Sequence, residues 1–211
     1  MDNLHQFIKS YWNYFLELEY QLLETRRFVA FDNANAKTYS IEYLKLYQAV
    51  CSEIDVVGKE IAVAMNPSFK IDYNTNIKKW GYEVQQAFPI IKDIQVLFNG
   101  EYIIHPFANW EYEQNTTITK KGEQRTTLRI KGNKDTIIWW HNYNDIKHRR
   151  IGLVEGTKNF SLANQGNLIQ AFAALFVLES LYITHCSVNN SDHIECSRLF
   201  VLHNLSGGNK C

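Results

Sequence analysis

The chain has few cysteines and no excess of charge of either sign. Lysine and arginine total 22, as do aspartate and glutamate, so the chain as a whole offers no electrostatic attraction to nucleic acid or to a membrane. Any phosphate-binding site must therefore be a local patch. The four cysteines form no C-x-x-C pair, which argues against a zinc ribbon or a thioredoxin-like motif; they are Cys51, Cys186, Cys196 and Cys211.

The sequence also lacks an apolar run of the length that crosses a bilayer. The longest strongly apolar stretch runs from Leu168 to Leu178, whereas a spanning helix needs about 20 residues. The first residues carry no basic segment that leads into an apolar run, so no signal peptide is predicted. We therefore expect a cytoplasmic protein with reduced thiols and no membrane partner. Core-forming residues are abundant, since 45% of the chain is hydrophobic.

Glycine and proline are absent from the first predicted helix, Leu4 to about Phe28, in which apolar residues recur every three or four positions. Ser40 is a suitable N-cap for a second helix from Ile41 to about Met65. Asn66-Pro67 ends that helix, because a residue that precedes proline avoids helical geometry. Residues 1–66 are therefore predicted to form a helical hairpin.

The middle and the end of the chain change character. Short β-like runs fill residues 90–131, where Asn99-Gly100 is a strong turn signal. Residues 136–186 are predicted to form a second helical hairpin, and residues 187–211 a tail that contains a strand or ragged helix and ends in disorder. The predicted fold class is mainly α. It is a single domain, 1–211, with a bundle of four long helices and a small antiparallel β insertion between the second and third.

The stretch WWHNYNDIKHRR, residues 139–150, holds the candidate site. Residues three and four apart share a helix face, so Asn144, Lys147 and His148 form one polar stripe. Histidine titrates near neutral pH and can take a proton from a ribose 2′-hydroxyl or protonate a leaving oxygen. A cation can stabilise charge on the phosphoryl oxygens, and asparagine can orient the histidine or the phosphate. These three residues are the predicted catalytic groups of a phosphodiester site that needs neither metal nor cofactor.

Further residues are candidates to support this site; they are Arg149, Arg150, Tyr143, Asp145, Asp55 and Lys59. Asp55 lies beside the apolar stripe of the second helix, where its carboxylate can hold His148 or Lys147. The simpler interpretation of Asp55 is an ordinary i,i+4 ion pair with Lys59. Glu19, late in the first helix, is interpreted as solvated.

Two other interpretations of the basic stretch remain open. A His-Arg-Arg run at the C-terminus of a helix complements the helix dipole without any further role. His141, Asp145 and His148 also offer imidazole and carboxylate ligands for a divalent ion. Three ligands on one helix, however, seldom converge on one metal.

The residues Asn144-Asp145-Ile146-Lys147-His148 resemble the Asn-x-x-x-His part of the HEPN-superfamily motif, which in its commonest catalytic form begins with arginine. Tyr143 stands where that arginine would be. The longer phrase WWHNYNDIKHRR and the upstream YSIEYLKLYQAVCSEIDVVGKEI are also similar to HEPN-like bacterial and phage proteins. The resemblance covers the helical parts, about two-thirds of the chain, and leaves the β insertion unexplained.

This resemblance implies a metal-independent ribonuclease that is active as a homodimer in toxin–antitoxin systems, stress response or phage defence. It gives His148 the role of acid and base and Asn144 that of orienting group, with Lys147 or Arg149 in place of the motif arginine. The expected partner is RNA or a nucleotide. Some HEPN-like domains are inactive, so a non-catalytic, dimerising interaction module is an alternative. A small-ligand binder that uses the concave side of the β insertion is another.

Overall fold

The fold is mainly helical (58%) and carries small antiparallel sheets, which confirms the predicted class at this level. The computed structural model describes residues 2–108, 110–118, 121–131, 137–154, 156–186 and 194–203.

The N-terminal helix is continuous but changes its winding. Helix α1 (Asp2–Phe7) leads into a π-helical segment (Ile8–Trp12), which is followed by α2 (Asn13–Thr25). A π segment adds one residue to a turn, and here Trp12 comes to stack on Phe15 with ring centroids 5.1 Å apart. The predicted long helix is confirmed, although it ends at Thr25.

Helix α3 (Ile41–Met65) occupies the centre of the structure. The Ser40 hydroxyl accepts a hydrogen bond from the Tyr43 backbone N–H at 3.0 Å, and the helix stops at Asn66, as predicted. It packs against α2 and against three later helices. The first of these is α4 (Ile77–Ala87), which approaches closely because Gly58 presents no side chain to the ring of Trp80.

The region predicted as one β insertion forms two separate sheets. Strands β1 (Val96–Phe98) and β2 (Tyr102–Ile104) make a hairpin through Asn99 and Gly100, whose φ angles are 54° and 71°. Positive φ at both central residues is the geometry that Asn-Gly favours. The other edge of β1 pairs with β7 (Phe200–Leu202), giving the order β2-β1-β7. The tail thus contains a strand, one of the two forms predicted for it, and that strand joins the first sheet of the β-rich region.

The second sheet consists of β3 (Tyr112–Ile118) and β4 (Gln124–Ile130), an antiparallel hairpin whose strands lie on either side of Gly122. It adjoins α4. The aromatic side chains of Phe107 and Trp110 are fully buried, so they belong to the core. That placement offers no support for a ligand surface built on them.

Helices α5 (Ile138–Arg149) and α6 (Gln165–Cys186) complete the helical part. Between them, β5 (Leu153–Val154) and β6 (Thr157–Lys158) form a minimal hairpin, followed by a 3-10 turn at Asn159–Leu162. Helix α6 packs on α2, α3 and α5. It has the length and hydropathy of a membrane span, but 72% of its most apolar window is buried inside the protein, as in the core helix of a globular fold.

The C-terminal segment is held by the first helix. The Glu19 carboxylate accepts hydrogen bonds from the Ser197 hydroxyl and from the backbone N–H groups of Arg198 and Leu199, both at 3.0 Å. The indole N–H of Trp12 donates to the Glu195 carbonyl at 2.8 Å. The interpretation of Glu19 as solvated is thus wrong: it is buried and anchors the strand that joins β1. The predicted disordered end lies outside the described residues.

Candidate functional site

Helix α5 is fixed by one buried face. Trp139, Tyr143 and Ile146 are four and three residues apart, so they share a side of the helix, and all three are buried. The hydroxyl of Tyr47 on α3 donates to the Trp139 carbonyl. The Trp139 indole N–H donates to the Pro106 carbonyl at 2.9 Å. These contacts define which residues of α5 face outward.

The C-terminal end of α5 is fixed by a side chain that the sequence analysis missed. The last carbonyls of a helix have no intrahelical partner. Here the buried Asn159 amide donates to the carbonyls of Asp145 and Arg149, at 3.1 and 2.8 Å. The Gly152 N–H also donates to the Arg149 carbonyl at 2.7 Å. No sequence signal indicates this role, because the contact depends on how the following hairpin folds back.

Four consecutive residues at that end expose basic side chains: Lys147, His148, Arg149 and Arg150. We call them the basic end of α5. Within the described part of the chain none of the four takes part in an ion pair. The Lys147 ammonium lies 5.5 Å from the centroid of the Tyr143 ring, a cation–π distance.

Asn144 and Asp145, the other polar candidates, are half-buried on the same helix. Asn144 precedes His148 by four residues, so the predicted stripe does occupy one side of α5. It lies on the surface rather than in a closed cavity. His141 is exposed one turn before Asp145. In the described ranges no group of three His, Cys, Asp or Glu side chains is placed to hold a metal ion.

Tyr143, which stands where the motif that this stretch resembles would have arginine, packs into the core. Its ring is buried against Tyr47 and Trp140, with centroids 6.2 and 5.4 Å away. Burial is the main cause that raises the pKa of the Tyr143 phenol, and the nearby Cys51 and Asp55 raise it further. An arginine in this place would bring a charge into an apolar contact, and the nearby carboxylate of Asp55 is already paired with Lys59.

Asp55 forms the i,i+4 ion pair with Lys59, which is the simpler of its two predicted arrangements. One carboxylate oxygen accepts from Lys59 Nζ at 2.5 Å and the other from the Trp80 indole N–H at 2.9 Å. The pair is half-buried rather than exposed. Its carboxylate ties α3 to α4, and within the described residues it makes no hydrogen bond to Lys147 or His148. The structure therefore does not bring Asp55 and Lys59 into the α5 stripe.

A second buried carboxylate has a different environment from that of Glu19. Glu179 on α6 is fully buried, and neither of its oxygens has a hydrogen-bond partner within the described part of the chain. Burial raises the pKa of Glu179 well above its usual range, and the charge of Glu53 on α3 adds to the effect. The burial of Glu179 was not predicted from the sequence, because a single glutamate in an apolar helix is compatible with an exposed position.

A surface cavity among the described residues lies away from the stripe on α5. It has a volume of about 370 Å³ and lies between α2 and residues 195–198, with Leu16, Tyr20 and Arg198 among its lining residues. It is formed where the C-terminal segment crosses the first helix.

Comparisons with protein-family models, with curated proteins and with solved structures find no match for this chain.

Proposed function

We propose that this protein binds RNA through the basic end of α5 and, as a homodimer of HEPN-like four-helix bundles, cleaves it without a metal ion. The observation that carries the proposal is the group of four exposed basic side chains at a helix end that is itself held in place by Asn159. Phosphates can supply the counter-charges that this cluster does not find among the described residues, and phosphate contacts with lysine and arginine dominate RNA affinity.

The helix contacts support the bundle part of the proposal. Helices α3 and α6 pack against each other, and each of them contacts both α2 and α5. A bundle of this kind presents α5 on its surface with one face committed to the core. The polar stripe is then the part of α5 available to a ligand.

In the proposed reaction the 2′-oxygen of a ribose attacks the adjacent phosphorus and the bond to the 5′-oxygen breaks. His148 takes the proton of the 2′-hydroxyl, and the partner subunit's His148 gives a proton to the leaving 5′-oxygen. The products are a 2′,3′-cyclic phosphate and a free 5′-hydroxyl. Lys147 and Arg149 stabilise the negative charge that builds on the phosphoryl oxygens, and Asn144 orients the phosphate. The stripe offers one exposed histidine, and we propose that a second copy of the chain supplies the other proton-transfer group.

The test compares wild type, His148→Ala and His141→Ala on a structured RNA, with and without EDTA. His141 is the matched control, because it is an exposed histidine on the same helix but outside the stripe. We expect His148→Ala to lose cleavage by about 100-fold or more, and His141→Ala and EDTA to have no effect. Equal cleavage by wild type and His148→Ala would refute the nuclease, and loss of cleavage in EDTA would point to a metal instead.

A non-catalytic, dimerising RNA-binding module is the second candidate, and the buried Tyr143 favours it because the arginine of the catalytic motif is missing there. The two candidates differ in one result: the module binds RNA but cleaves no phosphodiester bond. Light scattering after size exclusion measures the dimer that both require.

In either case we expect the protein to act in the cytoplasm, in a stress response or phage defence.

A further inference from the structure

An exposed aromatic pair lies beside the basic end of α5. The ring of Tyr39, 51% exposed, meets the ring of Phe160 edge to face, with centroids 5.5 Å apart and planes at 87°. The Phe160 backbone N–H donates to the Arg150 carbonyl at 3.1 Å. The aromatic pair is thus attached directly to the last residue of the basic end.

Backbone bonds hold Tyr39 in this position. Tyr39 forms a β-bridge with Asn164, and the carbonyls of Thr38 and Ala36 accept from the N–H groups of Gln165 and Gly166, each at 2.9 Å. The segment before α3 is therefore tied to the start of α6. A ring held by its backbone loses little conformational entropy when a flat ligand covers it.

The surface around this pair combines apolar and cationic groups. Ile151 and Leu153, which follow the basic end, are 94% and 66% exposed, and Lys158 on the neighbouring strand is exposed as well. The Tyr39 hydroxyl has no hydrogen-bond partner among the described residues. An aromatic face next to a row of cations is the combination by which proteins bind single-stranded nucleic acid, since bases stack while phosphates pair with the cations.

We propose that Tyr39, supported by Phe160, is the stacking platform for an unpaired base of the RNA whose phosphates contact the basic end of α5, so that the ligand is single-stranded. This inference rests on the proposed function. In a duplex the bases are stacked on each other and their faces are closed to a side chain. Tyr39 begins the upstream phrase that is similar to HEPN-like proteins but lies outside residues 144–148, which resemble the catalytic motif, so it would set ligand preference rather than chemistry.

The experiment measures fluorescence anisotropy with a labelled oligouridine, an RNA duplex of equal length and an oligothymidine. The variants are Tyr39→Leu, which keeps an apolar contact with Phe160 but has no aromatic face, and Tyr39→Phe, which keeps the face. Tyr73→Ala is the matched control, since Tyr73 is 97% exposed in a different loop. We expect Tyr39→Leu to weaken oligouridine binding about tenfold and to leave duplex binding unchanged, and Tyr39→Phe and Tyr73→Ala to bind as wild type does.

Several results overturn the proposal. Unchanged oligouridine binding by Tyr39→Leu removes the platform, and an equal loss for oligouridine and duplex shows a general structural effect. A change of oligomeric mass in Tyr39→Leu with unchanged RNA affinity shows that the surface contacts a second copy instead. Equal binding of oligothymidine and oligouridine would make single-stranded nucleic acid in general the ligand and would overturn the assignment to RNA. If Arg149→Ala/Arg150→Ala binds RNA as wild type does, the proposed function itself fails, whatever Tyr39 does.

Discussion

Replacing Glu179 by methionine should stabilise the protein at neutral pH. The Glu179 side chain is fully buried, and neither carboxyl oxygen finds a hydrogen-bond partner among the described residues. A buried polar group left in this state costs about 1–3 kcal/mol of folding free energy. Methionine is unbranched and adaptable, so it can fill the same space without the polar atoms. At this chain length about 1 kcal/mol corresponds to about 2–4 °C in Tm, so we expect a rise of roughly 2–12 °C.

The stabilisation of Glu179→Met relative to wild type should grow as the pH rises. Burial raises the pKa of Glu179 in the folded protein well above the ordinary value of 4.5. Above the ordinary pKa, Glu179 of the unfolded chain loses its proton while Glu179 of the folded chain retains it. The folded state of wild type is therefore progressively disfavoured as the pH rises. The contribution to stability is thus complete below the unfolded pKa and is lost as the pH increases toward the folded pKa. Each pH unit in this window changes the free energy of unfolding by up to about 1.4 kcal/mol.

The assay is denaturation by heat and by urea, followed by circular dichroism from about pH 4 to pH 8. Glu19→Met is the matched control, because Glu19 is also a buried glutamate but accepts three hydrogen bonds. That control should lose at least about 2 kcal/mol. A lower Tm of Glu179→Met at neutral pH, or a difference from wild type that is the same at both ends of the pH range, would contradict the cost assigned to the buried Glu179 carboxyl group.

Two further substitutions test contacts that position α5 and α3. Asn159→Ala removes both hydrogen bonds from the side-chain amide to the carbonyls of Asp145 and Arg149. We expect the free energy of unfolding to fall by about 1–3 kcal/mol, measured by urea denaturation. An unchanged midpoint would contradict the capping role. Gly58→Ala should destabilise the protein by about 1–3 kcal/mol, although alanine normally favours a helix, because the new Cβ would lie 2.5 Å from the Trp80 ring. A higher Tm for this variant would show that Trp80 can move away.

Local patterns predicted the local elements well. The bounds of α3 follow from Ser40 and Asn66-Pro67, and the first hairpin follows from Asn99-Gly100. In each case the signal and the structure lie within a few residues of each other, so periodicity and turn chemistry suffice. The buried face of α5 also follows from local spacing, since Trp139, Tyr143 and Ile146 lie four and three positions apart.

Long-range contacts account for what the sequence did not predict. β7 pairs with β1, about a hundred residues earlier in the chain, and no local pattern specifies a partner at that distance. The same holds for the burial of Glu19, whose hydrogen-bond donors lie near Leu199. Of the candidate site, the stripe on α5 could be predicted from spacing. Its anchor, Asn159, could not be predicted, because that contact depends on the hairpin which brings the side chain back to the helix end.

The contact between the first helix and β7 has a consequence for the order of folding. Trp12 and Glu195 are 183 positions apart, and Glu19 and Leu199 are 180 apart. During synthesis the first helix and the β1–β2 hairpin emerge long before the strand that covers them. Their apolar surfaces stay uncovered until that strand is made, and contacts between residues so far apart in the sequence form slowly. We therefore expect this region to be the part of the nascent chain on which a chaperone acts longest.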